Sequence, residues 1–199
     1  MTPGVALHVI YGIACAGKST TALQYASDNA IRTVISTDYL REVQRLYVPA
    51  DESPALAKVS HTAWELTGNP TPGGIIAGFT SHAEAVFPAV AAVAVKLAGD
   101  GLDAVIEGSC FHGALITRLR QQVQDVTIRP VLLTVESLPQ LLEHITEKEQ
   151  QRAPGSEPRS WRANAGVLMT IQDFLISDAA RHAIPRMRAA QPILDGGSL

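Results

Sequence analysis

The chain has 199 residues, 46% hydrophobic and 18% charged, with a formal net charge of -3 and a pI of about 6.0. That is enough for one packed domain, too apolar for a disordered segment and too acidic for a broad nucleic-acid footprint. Two cysteines, Cys15 and Cys110, make neither a disulfide framework nor zinc-type spacing, so the chain reads as cytoplasmic.

The first predicted element is an apolar strand over 5–11. Its start resembles a secretion signal, but no Lys or Arg precedes Lys18, so the basic region of such a signal is missing. "GIACAGKST" follows, with Gly12, Gly17, Lys18 and Ser19 at the spacing G-x-x-x-x-G-K-[ST]. Between a strand and a helix this pattern is a phosphate-binding loop. Glycines let successive N–H groups turn inward, and a helix N-terminus adds free donors and partial positive charge. Gly12, Ala14, Cys15, Ala16, Gly17, Lys18, Ser19 and Thr20 are the expected nucleotide contacts. Lys18 would reach the β and γ phosphates of ATP or GTP, Ser19 would ligate Mg²⁺, and Thr20 would bond an α phosphate. Cys15 reads as a small residue that fits the loop. A dinucleotide fingerprint fits poorly, because Ala14 stands where its second glycine belongs.

A second strand is predicted over 32–36, closing in Ser36, Thr37 and Asp38, and the next helix carries Arg41 and Arg45 as candidate contacts for an anionic group of the substrate. Ligands of parallel sheets collect beyond the carboxyl ends of strands, so Asp38 would face the γ phosphate and accept the proton of an attacking hydroxyl. Asp38 also fits the N-cap of that helix.

Residues 75–97 repeat apolar side chains at steps of three and four, which predicts a helix with a buried stripe, kinked or broken at Pro88. Its apolar part, 83–98, contains Glu84, Pro88 and Lys96 and is shorter than the ~20 residues of a membrane span. A third strand over 102–106 leads to Glu107, a carboxylate placed to hold Mg²⁺ through water or to orient the acceptor. His112 follows, and His82 precedes, as candidate substrate contacts.

A fourth strand is predicted over 126–135. Ser137 and Gln140 then form a capping box that opens a helix. "APGSEPRS", residues 153–160, breaks the pattern between charged residues, so 144–162 reads as a lid or flap. Arg152 and Arg159 are the first choices, among Lys148, Arg152, Arg159 and Arg162, for a cation that closes on the transferring phosphoryl group. Another helical stripe covers 167–179, and "QPILDG" offers a fifth strand. Alternating strands and helices predict one α/β domain over 1–199: a three-layer sandwich with a central, mainly parallel five-stranded sheet and a small helical lid.

The segments "GKST", "VISTDYLREVQR", "AGFTSHAEAVFPAV", "VIEGSCFHG" and "IQDFLISDAARHAIP" together resemble the 2-phosphoglycerate kinases, in the same order and over most of the chain. The resemblance implies a P-loop kinase fold, Mg-ATP, phosphorylation of a small acceptor, and roles for Asp38 and Arg41. The arrangement is also similar to chloramphenicol phosphotransferase, whose base is a carboxylate after the second strand, where Asp38 stands here.

The window 48–117, expected to build the acceptor site, contains only Lys58 and Lys96 as basic residues beside Trp64, Phe79, Phe87, Phe111, His61, His82 and His112. An anionic acceptor calls for several Arg or Lys forks. This window therefore predicts a neutral hydroxylated metabolite or an antibiotic, with self-resistance as the biological reading. The alternatives are 2-phosphoglycerate itself, or a nucleotide-dependent regulatory switch. A homodimer through exposed helix faces is compatible with the sequence.

Overall fold

A computed structural model describes residues 4–68, 70–123, 125–153 and 159–189. Five strands, β1 (Ala6–Tyr11), β2 (Thr33–Ser36), β3 (Ala104–Gly108), β4 (Thr127–Thr134) and β5 (Arg186–Arg188), form one sheet in the order β2-β3-β1-β4-β5, and every pairing is parallel. β1 and β3 are buried along their whole length, as strands covered on both faces must be.

Among the described residues there are six α-helices: α1 (Lys18–Asp28), α2 (Thr37–Tyr47), α3 (Pro72–Gly99), α4 (Gly113–Gln122), α5 (Leu138–Gln150) and α6 (Ala165–Arg181). Alternate residues of β1 feed two cores. Leu7, Val9 and Tyr11 join the large core with α3, α4 and α6, while Ile10 packs with Ala22 and Ala26 of α1 and with Val105 and Leu133. The result is the predicted three-layer sandwich.

Three details differ from the sequence expectation. The fifth strand is Arg186–Arg188, and "QPILDG" lies outside the described residues. α3 runs through Pro88 without a break. Pro88 is exposed and so is Glu84, whose carbonyl loses its helical partner, so the vacancy faces water while Val86, Phe87 and Val90 keep the stripe buried. α3 is also longer than the apolar stretch suggested: by length and composition it is able to cross a membrane, yet half of its most apolar window is buried inside the protein.

Capping follows the sequence at α5. Ser137 Oγ accepts from Gln140 N at 3.4 Å, and Gln140 Oε1 accepts from Glu136 N at 2.6 Å, one residue earlier than in a standard capping box. At α2 the N-cap is Ser36, and Asp38 sits in the first turn. Asp38 is therefore not the cap, and its carboxylate is left to the site.

Candidate active site

The sheet order places β1 between β3 and β4, so the connections from β1 and β3 leave in different directions and open a crevice at their carboxyl ends. The loop 12–17 fills it. Gly12 has φ 155°, and a Cβ there would lie 2.3 Å from the Leu133 carbonyl oxygen. Gly17 caps α1 in the left-handed region, at φ 81°, and a Cβ there would project into open space. The first glycine lets the loop pass the sheet; the second turns the chain and leaves room above the helix N-terminus. The first turn of α1 holds no acidic residue, which suits an anion.

Lys18 is buried, and its Nζ donates to the Ile13 carbonyl at 2.7 Å. Burial lowers its pKa, and the charges of Glu107 and Asp38 pull it back up. Both predicted carboxylates thus act on the loop lysine. The Ser19 hydroxyl donates to Glu107 Oε1 at 3.2 Å. That hydroxyl–carboxylate pair is a donor set that fits Mg²⁺. From α5, His144 Nδ1 donates to the Cys15 carbonyl at 3.0 Å and pins the loop's crest. Cys15 is buried, and burial raises its pKa, so it is a packed small residue and not an active thiol.

Beside the loop lies a pocket of about 200 Å³. Ala14, Asp38 and Ser109 reach it from the ends of the first three strands, Arg41 and His82 from α2 and α3, and Ser60 and His61 from the segment between two short 3₁₀ turns, Pro54–Ala57 and Ala63–Leu66. Lys148, Arg152, Arg159 and Trp161 close the far side. Lys148 and Arg152 lie over the Trp161 ring, at 5.2 and 5.7 Å from its centroid.

The predicted residues divide. Asp38, Arg41, His82, Arg152 and Arg159 come together in this pocket, next to the loop. Arg41 is engaged there: Nη1 donates to the Leu56 and Lys58 carbonyls at 3.0 and 2.8 Å, and Nη2 pairs with Glu42. It holds the wall that carries Ser60 and His61. His82 Nδ1 donates to the Ala55 carbonyl at 2.9 Å. Burial keeps this ring neutral, so Nε2 accepts from the Cys110 thiol at 3.4 Å, and both nitrogens are used within the protein.

Two expected substrate contacts lie elsewhere. Arg45 is exposed and paired with Glu42 at 2.9 Å. His112 caps α4, and the charges that act on it are Asp178, Glu84, His182 and Arg118, on the side of α4 and α6. Arg162 bonds Thr146 and Glu149 at 2.9 and 3.0 Å, outside the pocket lining. Part of the expected flap, 154–158, lies outside the described residues.

Sequence reading placed His61 in the acceptor window without a role and missed Ser60, Ser109 and Trp161 as site residues. His61 is almost wholly buried, and its pKa is lowered to about 4 by burial and by Arg159. Its Nε2 contacts Ser160 Oγ at 3.4 Å, linking the acceptor wall to the C-terminal part of the flap. A histidine in "VSHTAW" has no local signal for this; only the fold brings it to Asp38.

The chain is 29% identical over 183 residues to a 2-phosphoglycerate kinase of Pyrococcus furiosus, and 27% identical over 177 residues to that of Methanocaldococcus jannaschii. It is similar to the 2-phosphoglycerate kinases. The matches cover 85% and 89% of this chain but 54% and 56% of those proteins, so it spans about half the length of the curated relatives. No family model matches. A gluconokinase from Sinorhizobium meliloti superposes with a TM-score of 0.52 at 18% identity, covering 96% of this chain and 85% of that one. A sugar kinase from Janibacter sp. superposes at 0.51 with 15% identity, covering 94% and 84%. The fold is the α/β P-loop kinase fold, and the 2-phosphoglycerate kinase-like segments named in the sequence include the loop, Asp38 and Glu107.

Proposed function

We propose that this chain is a phosphotransferase that moves the γ-phosphate of ATP or GTP to a hydroxyl of a small acceptor. The observation that carries the reading is the arrangement around Lys18: a phosphate loop whose lysine feels two carboxylates, Glu107 and Asp38, beside a pocket lined with cations. Similarity to kinases over most of the chain supports it.

The chemistry follows from these groups. The loop amides and Lys18 hold the triphosphate. Asp38 accepts the proton of the acceptor hydroxyl, whose oxygen attacks the γ-phosphorus as the bond to the bridging oxygen breaks. The leaving nucleoside diphosphate stays on the loop. Lys148, Arg152 and Arg159 face the charge that spreads over the equatorial oxygens. Ser19 and Glu107 are the residues that would hold Mg²⁺, which neutralises phosphate charge when bound.

The pocket lining favours an anionic acceptor over the neutral one that the window 48–117 suggests. The window 48–117 is poor in cations, but Arg41 enters from before it and Lys148, Arg152 and Arg159 from after it. Arg41 is paired with Glu42, but Lys148, Arg152 and Arg159 still outnumber Asp38 and favour an acceptor that itself carries an anionic group. A phosphorylated or carboxylated hydroxy compound, the class that the relatives' name specifies, fits this lining better than an antibiotic alcohol.

The test is a coupled assay with Mg-ATP and Mg-GTP across 2-phosphoglycerate, other hydroxy acids and neutral alcohols. Acceptor-dependent diphosphate release is expected, strongest with an anionic acceptor. Nucleotide hydrolysis that no acceptor stimulates would support the regulatory switch instead.

A further inference from the structure

α2 is amphipathic the wrong way round. Thr37 and Arg41 are its buried residues, while its large apolar side chains face water: Tyr39 is 76% exposed, Val43 54%, Leu46 79% and Tyr47 80%. Leu40, half-buried and packed on the core, borders the stripe that these four form. An apolar face turned outward is the mark of an interaction surface.

The order of residues on the stripe is symmetric about Val43. Read from either end it is Tyr, Leu, two others, Val, two others, Leu, Tyr: Tyr39, Leu40, Val43, Leu46, Tyr47. A two-fold interface must be self-complementary, because each patch meets its own copy. Antiparallel pairing of two such helices centred on Val43 sets Tyr39 against the partner's Tyr47, Leu40 against the partner's Leu46, and Val43 against the partner's Val43. Glu42 and Arg45, paired at 2.9 Å, flank the stripe as a polar rim.

The area is sufficient for a modest dimer. At these exposures the two tyrosines alone present roughly 300 Å² per copy. With Val43, Leu46 and the rim, a pair would bury on the order of 1,000 Å², the lower limit of a specific interface. We propose that the α2 stripe is a two-fold dimer interface between copies of this chain, centred on Val43. α2 also carries Asp38, so the pairing would brace the helix that supplies the site carboxylate. The inference does not depend on the proposed reaction.

Sedimentation of the full chain from about 1 to about 100 µM tests it; a mass rising from one chain to two is expected, with a Kd in the micromolar range. A Tyr39→Glu, Tyr47→Glu double variant should stay monomeric over that range while keeping its nucleotide-induced thermal shift. Oxidation of Val43→Cys should give a covalent dimer. Tyr39→Cys should crosslink with Tyr47→Cys and not with itself. The native Cys15 and Cys110 are buried and contribute no background. A single-chain mass at every concentration, or Tyr39→Cys crosslinking to itself, overturns the proposal. So does stable association of the stripe with lipid vesicles or another protein while the chain alone remains a monomer.

Discussion

The Ser19 hydroxyl and the Glu107 carboxylate meet at 3.2 Å across the crevice between the loop and the third strand. One residue lies in the first turn of α1 and the other is the penultimate residue of β3, so the sheet register that sets β1 beside β3 also sets this pair. Replacing Glu107 with Gln keeps the shape and removes the charge. Turnover should fall about 10²–10³-fold, with nucleotide affinity in the absence of Mg²⁺ nearly unchanged. Titration with Mg²⁺ at fixed nucleotide checks it: the variant should need more metal for half-maximal rate, and an unchanged requirement would contradict the role.

Asp38 is held in the first turn of α2, exposed toward the pocket and free of capping duty. Asp38→Asn should lower turnover about 10²–10⁴-fold, the usual worth of a positioned base. Nucleotide binding, read by thermal shift, should persist. Turnover within a few-fold of the parent would remove Asp38 from the chemistry.

Lys18 is buried and bonded to the Ile13 carbonyl, and the charges of Glu107 and Asp38 act on it. Lys18→Met should lose nucleotide affinity at least tenfold while the apo protein stays folded, because the lost bond is to an exchangeable carbonyl. Calorimetry with a non-hydrolysable nucleotide gives the comparison.

Buried histidines make the fold acid-sensitive. His61 ionises near 4 in the protein against 6.5 when unfolded, so between those values the unfolded chain binds a proton that the folded chain does not. Stability is intact above pH 6.5 and falls as pH drops toward 4, by on the order of 3 kcal/mol for this group alone. His82 and His112 are shifted the same way, with burial the main cause. Denaturant midpoints at pH 7 and pH 5 should differ in that direction, and His61→Asn should reduce the difference. A midpoint independent of pH would contradict the burial argument.

Gly78 on α3 lies against the second 3₁₀ turn, where an added Cβ would sit 2.4 Å from the Trp64 backbone nitrogen. Helix propensity alone favours Ala by about 1 kcal/mol. Overpacking against backbone costs about 1–3 kcal/mol, so Gly78→Ala should be destabilising on balance, by denaturant unfolding. It should also raise the acceptor KM, since the displaced segment follows directly on Ser60 and His61.

The parts legible in the sequence are those coded locally. The loop's glycines, Lys18 and Ser19 are fixed by spacing, and Asp38 and Glu107 by their place at strand ends. The cations of the acceptor pocket are not legible locally because they are distant in sequence: Arg41 and Lys148 are brought together only by the parallel crossovers. His61 and His82 divided for a similar reason, since only the packing of α3 reveals that both nitrogens of His82 are already bonded. Pro88 misled because proline penalties assume a buried vacancy, and here the freed carbonyl faces water.

The most direct test of the account is transfer of ³²P from labelled ATP or GTP to a small acceptor, separated from inorganic phosphate, with the Asp38→Asn protein as control. The account predicts a labelled acceptor ester that carries a second anionic group, formed by the parent and nearly absent with the variant. Label found only in inorganic phosphate, at equal rates in both proteins, would contradict it.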